Sequence, residues 1–189
     1  LKWLFVALAI AAMALALFEF YVLAKQQGLN PDTGAGFLAA TAIVVIATFP
    51  PDIYNLLLVH FVIILLTAGT LVAATLRGAP FDKMIASVGS TILGVLYIAL
   101  LGSYLVSLRM FHDQTAAAHL LSFFFLVLMG ADAGAYYVGR AFGKRKLAPS
   151  ISPGKTWEGV IGGVAAALVM AAIAHYWFFR ELPLKLALP

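Results

Sequence analysis

Residues 150–159 read SISPGKTWEG, a polar turn set between two long apolar runs. Gly154-Lys155-Thr156 has the residue types that grip a phosphate: an ammonium, a hydroxyl and a backbone able to approach closely. A nucleotide-binding P-loop needs G-x-x-x-x-G-K-[ST] between a strand and a helix, so that successive N–H groups wrap the anion. Pro149 stands where the first glycine would fall and an apolar helix precedes the turn, so the P-loop reading fails on context. The anion chemistry survives without that fold. Ser152 followed by Pro153 predicts a helix start, with serine as N-cap and proline at the first helical position. Such a first turn presents unpaired N–H groups and the positive end of the helix dipole, to which Lys155 adds a charge and Thr156 a hydroxyl. The plainer alternative is a capped helix behind a basic loop on the cytoplasmic side.

Asp132, near the end of the apolar run LMGADAGAYYVGR, favours a site. An ionisable group at membrane depth is costly unless it faces protein or water, and so points to function. Gly130 and Gly134 flank it, while Gly159, Gly163, Ala167 and Ala171 recur every four residues along the next run. Such stripes of small residues let helix backbones approach, which predicts that these two helices pack together and hold Asp132 near the SPGKT turn. Other residues carry less. Gly34-Ala35-Gly36 lacks the βαβ unit of a dinucleotide fingerprint. His60, His112, His119 and His175 have no metal-site spacing, which favours packing or interfacial roles.

The elements that must position these residues are membrane helices. The chain is 63% hydrophobic and 11% charged, with a mean hydropathy of +1.02. Runs of about 20 apolar residues, at about 1.5 Å per residue, cross a hydrocarbon core of roughly 30 Å. Helices are predicted at about 3–24, 36–49, 52–76, 84–108, 115–139 and 157–179. The fold class is all-α, a polytopic membrane bundle of about six transmembrane helices forming a single domain over 1–189. Pro50-Pro51 ends the short second run and starts the third, making a hairpin. With no cysteine, disulfides, thiolate catalysis and Cys-ligated metals are excluded. Five of the twelve Lys/Arg residues lie between Arg140 and Lys155. Alternation of spans then divides the cations eight to four in favour of the side holding that loop, with Lys185 among the four. The basic loop is therefore expected to face the cytoplasm, where nucleotides are found.

The segment DAGAYYVGRAFGKRKLAPSISPGKTWEGVIGG resembles the phosphatidate cytidylyltransferases, or CDP-diacylglycerol synthases, and FEFYVLA and LGVLYIALLGSYLVSLR are similar to that family too. The resemblance implies a Mg²⁺-dependent nucleotidyltransferase of phospholipid biosynthesis. In it the phosphate of phosphatidate attacks the α-phosphorus of CTP, giving CDP-diacylglycerol and pyrophosphate. Its partners would be CTP, phosphatidate and the lipid bilayer, with no nucleic acid; the sequence leaves a homodimer open. The bacterial inner membrane is the expected location. Carried over residue by residue, Ser152, Pro153, Lys155, Thr156, Glu158 and Gly159 match the family's turn, and Asp132, Tyr136 and Gly139 match the preceding helix. Lys155, Asp132 and Glu158 are the expected catalytic residues, and Ser152, Thr156, Arg140, Lys144, Lys146 and Tyr136 the substrate-binding ones. Asp132 is the expected Mg²⁺ ligand or a group that orients a lysine. Glu158 either braces the turn or binds through water. Arg140, Lys144 and Lys146 suit CTP or anionic lipid head groups equally.

The family also carries a downstream signature of Lys-Asp, His-Gly-Gly and Asp-Arg-x-Asp, absent from this chain. The chain, which starts at Leu1 and stops at Pro189, is expected to be incomplete at both ends, and its metal site incomplete with it. Two alternatives stand: cytidylyl transfer to another lipid phosphate, or a transporter with an anion-binding cytosolic loop. A transporter should carry matching broken helices in two related halves, and only one such element is present.

Overall fold

The computed structural model describes residues 2–78, 80–110, 113–150 and 152–180; His112 and Lys185 lie outside the described residues. Seven α-helices run along the described chain: α1 (Lys2–Gln26), α2 (Thr33–Ala47), α3 (Ile53–Leu76), α4 (Phe81–Gly94), α5 (Leu101–Met110), α6 (Gln114–Phe142) and α7 (Trp157–Trp177). A π-helical stretch, Val95–Leu100, joins α4 to α5 without a break. Counting that composite as one span, five helices among the described residues are long and apolar enough to cross a membrane, and Thr33–Ala47 is a shorter apolar helix. The all-α membrane bundle expected from the sequence is thus the architecture observed. The chain divides into two compact units, Leu1–Ala117 and Ala118–Pro189.

In the first unit the helix starts follow from their caps. Asp32 accepts a hydrogen bond from the Ala35 amide (3.1 Å) and Asp52 from the Asn55 amide (2.7 Å), each satisfying an N–H that the first turn leaves without an intrahelical partner. Pro50-Pro51 separates α2 from α3, and the two helices pack together as the expected hairpin. Tyr21 of α1 organises the core. Its ring is 1% exposed and lies with Leu17, Ile43, Val95 and Ala99, and its hydroxyl donates to the Thr91 carbonyl at 3.0 Å. That carbonyl lies just before the π-helical stretch, where the sequence predicted unbroken helix. Space for the ring comes from Gly36 and Gly94: a Cβ on Gly36 would overlap the Tyr21 hydroxyl, and one on Gly94 would lie 2.8 Å from the ring.

In the second unit the last helix starts at Trp157, as its predicted span of about 157–179 has it, but its cap differs from the Ser152-Pro153 start expected from the sequence. Ser152 is not an N-cap. Lys146–Ala148 (β1) and Ser152–Thr156 (β2) form a two-stranded antiparallel hairpin, with Lys146 opposite Thr156 and Ala148 opposite Ser152. The register shifts between Lys146 and Ala148, across from the part of β2 that holds Pro153 and Gly154. Proline has no N–H for a ladder, but a two-stranded hairpin has an open edge that tolerates it. The helix begins at Trp157, where Thr156 caps it by accepting from the Gly159 amide at 3.2 Å. A threonine three residues before a glycine serves as well as Ser-Pro, and the hairpin makes the choice because it keeps Pro153 extended.

α6 and α7 meet along small residues. A Cβ on Gly134 would collide with the Ala166 methyl, one on Gly159 would come within 2.9 Å of the Ala135 carbonyl oxygen, and one on Gly163 within 3.1 Å of the Ala131 carbonyl oxygen. The face used on α7 is Gly159, Gly162, Gly163 and Ala166, a little rotated from the stripe of every fourth residue.

Gly36→Ala should destabilise the purified protein by about 1–3 kcal/mol, the usual scale for overpacking. Gly69→Ala, where an added methyl meets open space, should be neutral or slightly stabilising. Thermal unfolding in detergent checks both; equal effects would mean that Tyr21 yields freely.

Candidate active site

The end of α6, the hairpin and the first turn of α7 enclose a cavity of about 780 Å³. On α6, Asp132, Tyr136 and Arg140 line it at four-residue spacing, one helical turn apart and hence on one face. Lys146 from β1 and Lys155 from β2 line it from the hairpin, and Thr156 and Gly159 from the start of α7. Three cations and one carboxylate thus share one lining. Among the described residues none of the three cations is in an ion pair; Arg140 donates to the Tyr136 hydroxyl at 2.8 Å. Asp132 is exposed and, among the described residues, has no hydrogen-bond or ion-pair partner.

Thr156 is 5% exposed, and its oxygen is committed to the Gly159 amide. Among the described residues its hydroxyl proton has no acceptor. Gly143 follows the last residue of α6 and donates to the Gly139 carbonyl at 3.0 Å; a Cβ there would lie 2.8 Å from the Thr156 hydroxyl oxygen. The chain therefore turns tightly under the cap of α7. Gly143 went unnoticed in the sequence although a glycine just past a helix end is a known stop signal.

Glu158 holds this turn. Its carboxylate accepts from the Lys144 amide at 3.1 Å and from the Arg145 amide at 3.2 and 3.3 Å, while the Trp157 amide donates to the Arg145 carbonyl at 2.9 Å. Charge-assisted bonds of this kind are the stronger class. Glu158 is not in the cavity lining, nor are Lys144 and Ser152; Ser152 is partly buried in β2. Lys144 contributes its backbone amide to the Glu158 carboxylate. Of the nine residues singled out in the sequence, six line the cavity and these three surround it.

The fit for a divalent cation rests on Asp132. Mg²⁺ keeps several waters and is commonly held by one or two carboxylates together with substrate phosphates. Asp132, unpaired among the described residues beside three cations that suit phosphates, can serve as one such carboxylate. Among the described residues no group of three or more His, Cys, Asp or Glu side chains could enclose a metal ion on its own. His60 hydrogen-bonds the Leu56 carbonyl through Nδ1 and His119 packs on Phe178 and Phe179. The buried Nδ1 of His175 has no partner among the described residues.

The fold and the site together define a membrane helix bundle with a cation-rich cavity at its helix ends. The chain is a member of the Cytidylyltransferase family, whose profile matches residues 1–188. It is similar to proteins named phosphatidate cytidylyltransferase. In the one from Bacillus subtilis, 38% of 123 residues are identical, covering 65% of this chain and 42% of the relative. In that from Haemophilus influenzae, 60% of 62 residues are identical, covering 33% and 22%. In that from Pseudomonas aeruginosa, 68% of 40 residues are identical, covering 21% and 15%. The aligned part therefore spans less than half the length of each of these relatives. No solved structure matches the chain significantly.

Glu158→Ala should free the Lys144 and Arg145 amides and raise the rate of limited tryptic cleavage after those residues several-fold, with Glu158→Gln intermediate. Mass spectrometry of the fragments gives the sites. An unchanged cleavage rate would mean that the hairpin alone holds the turn.

Proposed function

We propose that the cavity is the phosphate-handling part of a CTP:phosphatidate cytidylyltransferase. The observation that carries this reading is the convergence of Lys146, Lys155 and Arg140 with Asp132 on one cavity at the ends of two membrane-length helices. The names of the similar proteins supply the substrates. A phosphate oxygen of phosphatidate forms a bond to the α-phosphorus of CTP, the bond from that phosphorus to the β-phosphate bridging oxygen breaks, and its electron pair leaves with pyrophosphate. Such transfers need positioning and neutralised charge more than covalent help. Lys155 and Lys146 neutralise phosphate oxygens, and the Thr156 hydroxyl donates to one of them beside the N-terminus of α7. Arg140, steadied by Tyr136, gives a planar set of donors suited to a phosphate edge. Asp132 would hold Mg²⁺, which when bound supplies Lewis-acid neutralisation of the triphosphate. Glu158 keeps Lys144 and Arg145 in their turn and so holds Lys146 and Lys155 in register.

The site is proposed to face the cytoplasm, the side rich in CTP, in the inner membrane of a bacterium. A cysteine replacing Lys144 in this cysteine-free chain should react with a membrane-impermeant reagent only after the membrane is opened, and one at Gln114 in intact cells. The reverse pattern would remove the cytosolic CTP site.

In the whole protein, Lys155→Ala should lower phosphatidate-dependent pyrophosphate release from CTP by about 10²-fold, the scale of losing one preorganised charge-stabilising donor. Lys155→Arg should recover little of it, because the guanidinium differs in shape and reach. Asp132→Asn, nearly isosteric, should leave the unfolding temperature unchanged while activity and its dependence on added Mg²⁺ fall together. Alanine at Lys155 with near-wild-type turnover would refute the phosphate-contact role.

A further inference from the structure

A second polar cavity, of about 330 Å³, lies in the first unit where α2 and α4 begin and α3 ends. The proposed CTP site does not include it. Its lining includes Asp32, Arg77, Lys83, Ser87 and Thr91. Arg77, the C-cap of α3, pairs with Asp32 at 3.0 Å, and the other carboxylate oxygen of Asp32 accepts from the Ala35 amide. The charge of Asp32 is therefore offset within the wall. Lys83 is exposed and, among the described residues, its ammonium has neither a hydrogen bond nor an ion pair.

Two further features suit an anion. Ser87 is 8% exposed, and its hydroxyl oxygen accepts from the Asn30 amide at 2.9 Å. Among the described residues its hydroxyl proton has no acceptor, so a buried donor remains in the lining. α4 starts at this cavity behind Pro80, which gives no side-chain cap, whereas α2, α3 and α7 are capped by Asp32, Asp52 and Thr156. The Lys83 and Met84 amides donate to the Pro80 carbonyl at 3.1 and 2.8 Å, and among the described residues the Phe81 amide has no acceptor. Thr91 is different: its oxygen accepts from the Asp32 amide and its proton goes to the Ser87 carbonyl, which fixes the floor.

We propose that this cavity binds a phosphate group, held by Lys83 and the Ser87 hydroxyl with Arg77 at its side. Its place at the ends of membrane-length helices is the depth at which phospholipid head groups sit, and a cation there is attracted to anionic lipid. The source is therefore an anionic phospholipid, with free phosphate as the competing source of the same chemistry.

The test uses the whole protein in a neutral detergent, titrated calorimetrically with dihexanoyl phosphatidylglycerol, with dihexanoyl phosphatidylcholine and with inorganic phosphate. Phosphatidylglycerol should bind saturably. Lys83→Gln should weaken that binding about tenfold, the scale of one charge-assisted hydrogen bond, and Ser87→Ala by a smaller factor. Because the Lys83 ammonium has no partner in the fold among the described residues, Lys83→Gln should keep the wild-type unfolding temperature. Lys155→Gln should leave the affinity unchanged. Saturable binding of inorganic phosphate with the same dependence on Lys83, but none of phosphatidylglycerol, would keep the phosphate site and overturn its assignment to lipid. Binding insensitive to Lys83, or sensitive to Lys155 instead, would overturn the site itself.

Discussion

Hydrocarbon offers no partner to a peptide N–H or C=O, and this constraint governs everything else in the chain. Apolar runs become helices because a helix satisfies its backbone internally. Irregular backbone is restricted to helix ends, and there the structure supplies partners one by one. Asp32 and Asp52 cap α2 and α3, Thr156 caps α7, and the segment after Gly143 pairs with itself as a hairpin. The Glu158 carboxylate takes two amides that neither helix nor hairpin satisfies. The polar connection that lines the candidate site is thus held by its own backbone partners.

Close helix approach is the second requirement of the site. Van der Waals packing, with no hydrophobic drive in lipid, rewards small residues between helices. Gly134, Gly159 and Gly163 bring the backbones of α6 and α7 together, so that Asp132, Tyr136 and Arg140 share a cavity with Lys155. A larger residue at these positions would move the carboxylate away from the cations. The glycine face is accordingly part of what assembles the candidate site although it offers no functional group.

Charge in the two units is handled differently. In the first, Arg77 pairs with Asp32, and the Lys83 ammonium has no ion pair among the described residues. In the second, three cations face one carboxylate, an excess suited to a highly charged anion. Exposed ion pairs contribute little to stability, commonly up to about 1 kcal/mol, so leaving cations unpaired costs the fold little.

The sequence by itself determined the helices, because span length and hydropathy are local properties that lipid enforces without reference to the rest of the chain. Pro50-Pro51 marked the α2–α3 hairpin for the same reason, proline being a local constraint on backbone and donor count. The crowding of Lys/Arg between residues 140 and 155, the glycines of α6 and α7 and the position of Asp132 were legible too, and with them most of the candidate site. Tertiary structure decided the rest. Strands as short as Lys146–Ala148 and Ser152–Thr156, the latter holding Pro153 and Gly154, have no periodicity to read, and only pairing across the turn makes them strands and gives the N-cap of α7 to Thr156 rather than Ser152. The partners of Glu158 lie 13 and 14 residues away, and the space for Tyr21 depends on Gly36 and on Gly94, which lies in a different helix. These are relations between residues distant in the chain, and spacing along one strand of sequence does not encode which distant backbone will come within reach.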